Sequence, residues 1–183
     1  WESRTIPSGR NGLPNMLDVL DIPSPNYLLA HSMGLGLSDH FWIKPADSNI
    51  SYSDINYFQN EFSGDIGELL FGNTRIDGSL DCSSPDLATD GNLMKKWKII
   101  NGKRCLLKTG TGMNQQEVFN EVIASILMDS LGIDHTEYTV CREHSRMVSC
   151  CEDFVGMHTE LVPAKRLIDI SKGDEYRQYV TVC

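Results

Sequence analysis

The sequence predicts an α+β fold in which an antiparallel sheet packs on one long helix, preceded by a small helical, loop-rich region. Three observations carry this. Two strand patterns flank Asn101-Gly102, a long amphipathic pattern occupies 114–131, and a tract over 73–92 rich in Asp, Ser, Gly, Asn and Thr sets both apart from what precedes them. Asn-Gly favours the positive φ angles of a two-residue type I′ turn, whose twist suits paired antiparallel strands. Apolar residues recurring every three to five positions mark the long pattern as a helix.

Taken in order, Asn11-Gly12-Leu13-Pro14 followed by Leu17 and Leu20 predicts a short helix, since proline is tolerated in a first turn. Ser24-Pro25 repeats the device before Tyr27, Leu28 and Leu29. Phe41-Trp42-Ile43 reads as a brief strand or extended segment stopped by Pro45. Ser51 and Asp54, ahead of Ile55, Tyr57 and Phe58, have the form of a capping box with aspartate in place of glutamate. Ser63 is placed to cap a helix through Ile66, Leu69 and Leu70 that ends near Gly72. The hairpin follows over 96–108. In the long helix Val118, Val122, Ile126 and Leu131 form a stripe that Phe119, Ile123 and Leu127 widen. That stripe is expected to pack on the sheet, with Glu121 beside it on the rim, and Gly132 to stop the helix. Residues 138–141 and 147–151 then pair around a polar tip at 142–146. The chain divides into a helical, loop-rich region (1–80), a unit of strand, strand, helix, strand, strand (81–155), and a tail (156–183).

Sixteen basic and twenty-five acidic side chains leave a formal charge of −9, so direct nucleic-acid binding is not expected. No apolar run approaches the roughly 20 residues of a membrane span, and no membrane association is expected. The six cysteines (82, 105, 141, 150, 151 and 183) are irregularly spaced and two are adjacent, which points to reduced thiols in the cytosol. Cys141, His144, Cys150 and Cys151 lie within eleven residues, but structural zinc usually takes two ligand pairs separated by a longer loop. The chain opens on Trp1 and stops at Cys183 after a polar stretch, which reads as a piece of a longer protein.

Chemistry concentrates around the hairpin and the long helix. Lys108 ends a strand and Glu121 lies in the helix that follows. A lysine so placed holds nucleotide phosphates when a carboxylate on the facing helix fixes its flexible stem, which is the device of the protein-kinase amino-terminal lobe. The bland alternative is a solvated lysine and an ordinary helix glutamate. Residues 83–92 stand where such a lobe carries a phosphate-covering loop, although they lack G-x-G-x-x-G and fit a plain linker equally well. Gly110-Thr111-Gly112 lacks the remainder of a P-loop and reads as a turn. Cys151-Glu152-Asp153-Phe154 leaves the last strand where main-chain groups would meet an adenine edge, or simply as a turn with surface acids. His31, His40, His135, His144 and His158 show no metal spacing, and no nucleophile elbow is present.

Together Lys103-Arg104-Cys105-Leu106-Leu107-Lys108, Asn120-Glu121-Val122-Ile123-Ala124-Ser125, the helix end Leu131-Gly132-Ile133 and Cys151-Glu152-Asp153-Phe154 resemble HipA-like serine/threonine kinases over about residues 83–170. The resemblance implies that 81–155 is a kinase-like, nucleotide-binding lobe of a bacterial, cytoplasmic protein, and that 156–183 begins a truncated carboxy-terminal lobe. It implies ATP as cofactor, with Lys108 on the phosphates, Glu121 paired to Lys108, Ser84 to Gly91 as the phosphate loop, and Glu152, Asp153 and Phe154 as the adenine hinge. Mg2+ is implied as well, but the aspartate and asparagine that would hold it, and the catalytic aspartate, are not present in this chain. The intact protein would phosphorylate a hydroxyl of a protein substrate. The alternatives are a non-catalytic kinase-like module that binds a protein partner and, more distantly, a lipid-kinase relative. In a nucleotide-free lobe, Lys108 and Glu121 are expected to stand at a moderate separation.

Overall fold

The computed structural model describes Arg4, residues 6–74 and residues 79–163. Cys183 and most of the expected tail lie outside the described residues. Four short helices come first: α1 (Leu13–Leu20), α2 (Asn26–Leu29), α3 (Tyr52–Ile55) and α4 (Asp65–Leu70). A 3-10 turn (Pro85–Ala88) leads into β1 (Lys95–Ile100) and β2 (Lys103–Lys108), then α5 (Gln116–Leu131), β3 (Thr139–Glu143) and β4 (Arg146–Glu152). The described residues are thus α+β, with one four-stranded antiparallel sheet in the order β1-β2-β4-β3.

Local chemistry explains the elements. Asn101 and Gly102 have φ of 52° and 80°, the positive pair that the β1–β2 turn requires. The second hairpin is tighter than expected: Glu143 pairs with Arg146, so the turn is only His144-Ser145. Asp54 Oδ2 accepts the Ser51 backbone N–H at 3.0 Å at the start of α3, and Ser63 Oγ accepts the Asp65 N–H at 3.1 Å at the start of α4. Phe41-Trp42-Ile43 joins no strand of the sheet, and the Ile43 N–H donates to the Met33 carbonyl at 2.9 Å.

The sheet is covered on both faces. Phe71 at the end of α4 packs with Cys105, Leu107 and Val148 on one side. Trp97 packs with Leu35, Leu37 and Tyr57 on the other. A further cluster of Leu13, Met16, Ile66, Leu69, Leu70 and Leu87 binds α1 and α4 to the 3-10 turn. Gly67 allows α4 to sit close to β1, because a Cβ there would lie 2.8 Å from the Lys96 Cβ. Among the described residues, no helix is long and apolar enough to cross a membrane.

The helix α5 packs against β3 and β4 through the first half of the expected stripe, Val118 and Val122, but not through Ile126 and Leu131. Val118 and Ser125 are its buried residues, with Glu121 and Val122 half-buried beside them. Phe119, Ile123, Ile126, Leu127 and Leu131 face outward. Polar anchors fix this rotation. Glu121 is tied to Lys108 and Ser149, while Ser125 Oγ meets His135 Nε2 at 2.9 Å and accepts the Tyr138 N–H at 3.1 Å. Apolar residues run most of the way round α5, so hydrophobicity alone leaves its rotation undetermined.

Candidate functional site

Lys95 and Lys108 are cross-strand partners in the β1–β2 register, as are Trp97 and Leu106. Directly paired residues of antiparallel strands share a face, so all four side chains point the same way. They line a pocket of about 390 Å³, within the range of small-molecule sites. Cys151, paired with Leu106, continues its floor. The two lysines stand at one end, and Asp153, Phe154 and Val155 at the other, where the chain leaves β4. Leu37, Asp39 and Arg4 contribute a wall from the helical region, with Arg4 Nη1 2.7 Å from Asp39 Oδ2.

Lys108 Nζ donates to Glu121 Oε1 at 2.9 Å and to the Tyr138 hydroxyl at 2.6 Å, and lies 4.7 Å from the Tyr138 ring centroid. The Ser149 hydroxyl donates to Glu121 Oε2. Burial works to lower the Lys108 pKa, but the hydrogen bonds to Tyr138 and Glu121 outweigh it and hold it above the ordinary lysine value. The expected moderate separation is therefore replaced by a closed pair. The physical reason is that Ser149 already holds Glu121 Oε2, and the half-buried ammonium gains two acceptors by closing.

Lys95 is 9% exposed and donates to the Asp90 carbonyl at 2.8 Å. Its pKa is drawn down to about 8, chiefly by burial, then by the like charges of Arg10 and Lys108, against the pull of Asp90 and Glu121. Gly91, at φ +94°, makes room for it: a Cβ there would fall 2.5 Å from Lys95 Nζ.

The other residues singled out in the sequence divide. Glu152, Asp153 and Phe154 line the pocket. Glu152 pairs with Lys103 at 2.6 Å on the surface. Asp153 Oδ1 accepts the Val155 N–H at 3.0 Å, and burial pushes its carboxyl up to about 6. Ser84 and Gly91 do not line the pocket. Ser84 is fully buried and donates to Asp86 Oδ2 at 2.9 Å, while the Gly91 carbonyl accepts Arg10 Nε at 3.0 Å. Of the segment from Ser84 to Gly91, it is Ala88, Thr89 and Asp90 that reach the pocket. This segment is a fixed wall, since Asp86 also accepts the Trp97 N–H and Thr89 Oγ1 accepts Trp97 Nε1–H at 2.9 Å.

Comparison of the chain with protein-family models, with curated proteins and with solved structures finds no match.

Sequence reasoning missed Lys95, Trp97 and Tyr138. The signal for Lys95 was available, because a two-residue turn at Asn101-Gly102 pairs it with Lys108. Tyr138 carried no such signal.

The opposite face of the sheet holds a charged cluster. Lys96, 2% exposed, donates to Glu68 Oε1 at 2.5 Å and to Glu143 Oε1 at 2.7 Å. Among the described residues, Glu68, Glu143 and His144 form the group with metal-ligand spacing, but the Lys96 and Lys98 ammonium groups already pair with its two carboxylates. Cys141, His144, Cys150 and Cys151 do not converge. Cys150 and Cys151 alternate across the sheet, Cys141 and Cys150 pack with the Leu107 cluster, and His144 meets Glu68 at 2.8 Å. The five described cysteines are free thiols.

Proposed function

We propose that residues 81–155 are the ATP-binding lobe of a HipA-like serine/threonine protein kinase, which in its intact, cytoplasmic form transfers the ATP γ-phosphate to a protein hydroxyl. The observation that carries this reading is the closed Lys108–Glu121 pair at one end of a pocket whose other end is the segment leaving β4. Lys108 would neutralise phosphate charge, and Glu121, itself held by Ser149, keeps the ammonium aimed. The apolar middle of the pocket, Trp97, Leu106 and Cys151, suits the faces of a purine. The bound nucleotide supplies the phosphoryl group. No residue of this chain is assigned to Mg2+ or to base catalysis, so the chain alone is expected to bind and not to transfer.

A second reading, a kinase-like module serving a protein partner, draws on the outward apolar face of α5. Calorimetric titration of the 183-residue chain with ATP, with and without Mg2+, separates the two. Saturable binding that Lys108→Ala weakens about ten-fold, the loss of roughly one charged hydrogen bond, supports the ATP lobe. A folded wild-type chain that takes up no ATP rules it out.

A further inference from the structure

We infer that Lys95 is a second phosphate-contacting residue, so that Lys95 and Lys108 form a two-cation clamp for a polyphosphate chain. The ATP-lobe reading underlies the choice of nucleotide, while the clamp itself follows from placement and charge.

The register puts the two lysines side by side on the pocket face, with Cβ atoms of directly paired residues about 5 Å apart. Their partners differ. Lys108 has a carboxylate, Glu121, at 2.9 Å. Lys95 has a neutral carbonyl, that of Asp90, and forms no ion pair among the described residues. It is nonetheless among the buried charged residues of the protein. The charged groups around it are Arg10 from the segment before α1, Lys108 from β2, Asp90 from the preceding loop and Glu121 from α5. Arg10 also faces Asp86 and Glu121 is held by Lys108, so each of the other two cations has an acid of its own.

A buried ammonium without its own counter-charge is costly, and an anion in the pocket would remove that cost. Linked phosphates present a separate charged oxygen to each lysine, in charge-assisted hydrogen bonds stronger than the one to a neutral carbonyl. The absence of a side chain at Gly91 leaves the ammonium its seat at the pocket edge.

The clamp carries a proton signature. Lys95 loses its charge above pH of about 8 in the free protein, and a bound polyphosphate would hold the proton on. Lys108, raised above its ordinary value, stays charged through this range. Affinity should therefore be full below pH of about 8 and fall above it.

The test is calorimetric titration of the full chain with tripolyphosphate, ATP and adenosine at pH 7 and pH 9, using wild type, Lys95→Met and Lys95→Arg, with circular dichroism to confirm folding. Wild type should bind tripolyphosphate and ATP about ten-fold more weakly at pH 9, the factor expected one pH unit above the free value. Lys95→Met should bind both more weakly at pH 7 and lose the pH dependence; Lys95→Arg should bind with no such dependence. Tripolyphosphate binding that is absent in wild type, or unchanged in folded Lys95→Met, overturns the clamp. ATP binding that needs Lys108 but ignores Lys95 overturns the clamp and leaves the ATP lobe standing. Lys95-dependent tripolyphosphate binding to which adenosine adds nothing supports the clamp and overturns the ATP lobe.

Discussion

Asp86 Oδ1 accepts the backbone N–H of Trp97 at 3.0 Å, so a fully buried carboxylate fastens the loop before the sheet to the first strand. The same carboxylate accepts the Ser84 hydroxyl through Oδ2. One acid thereby sets the pocket wall at Thr89 and Asp90 against the pocket floor at Trp97.

Replacing Asp86 with Ala should cost about 2–4 kcal/mol, because the Trp97 N–H and the Ser84 hydroxyl both lose their acceptor in a buried setting. Burial raises the Asp86 carboxyl from 3.8 to about 6. The folded state therefore holds this proton where the unfolded chain has lost it, and the group's contribution to stability falls as pH rises from about 4 to about 6. Urea unfolding at pH 4, 5, 6 and 7 should show that slope in wild type and its loss in Asp86→Asn. Equal slopes in both would remove Asp86 as its source.

Lys96→Met should destabilise the chain by about 3 kcal/mol, since Glu68 and Glu143 lose the buried cation they share and keep only His144 and Lys98 nearer the surface. At both carboxylates burial acts to raise the pKa, and hydrogen bonds from Lys96, with His144 at Glu68 and Lys98 at Glu143, outweigh it and leave the value lowered. Their stabilisation is present above their unfolded value of 4.5 and is lost as pH falls through their lower folded values. Acid unfolding followed by fluorescence should show this loss in wild type and a weaker one in Lys96→Met.

Lys95→Met should stabilise the ligand-free chain at pH 7. A fall in pKa from 10.5 to about 8 corresponds to about 3 kcal/mol against the charged form. The forfeited hydrogen bond to Asp90 returns about 1 kcal/mol, leaving a gain of about 2 kcal/mol. In wild type the same group should make stability rise between pH of about 8 and 10.5. Thermal unfolding at pH 7 with a lower midpoint for the variant would contradict this.

Thiol labelling of the native chain at pH 7.5 should be slow at Cys105, Cys150 and Cys151 and fast in urea. Cys105 and Cys151 are buried, and burial with neighbouring Cys105 and Cys141 pushes the Cys150 thiol up to about 12. Mass spectrometry of partially labelled protein reads this site by site, and rapid native labelling of Cys150 would count against it.

What was legible in the sequence was what neighbouring residues decide. Asn101-Gly102 sets a hairpin by its own backbone preferences, and Lys108 and Glu121 are spaced so that a strand and the next helix bring them together. The rotation of α5 was legible at Val118, Glu121 and Val122 but not at Ser125, Ile126 and Leu131, because its apolar residues point in several directions while hydroxyls on Ser125 and Ser149 choose among them. Nor was the setting of Ser84. Its surroundings have the composition of a flexible loop, and the group that rigidifies them is a main-chain amide at Trp97, which no side-chain pattern announces.

Arg10 gives the molecule an order of assembly. Its guanidinium spans 81 positions to the Gly91 carbonyl and also reaches that of Thr89. The β1–β2 hairpin closes over a few residues and is a microsecond event, whereas this long-range closure must await the collapse of the helical region. The pocket wall at Thr89 and Asp90 should therefore be among the last parts of the described chain to become protected from hydrogen exchange.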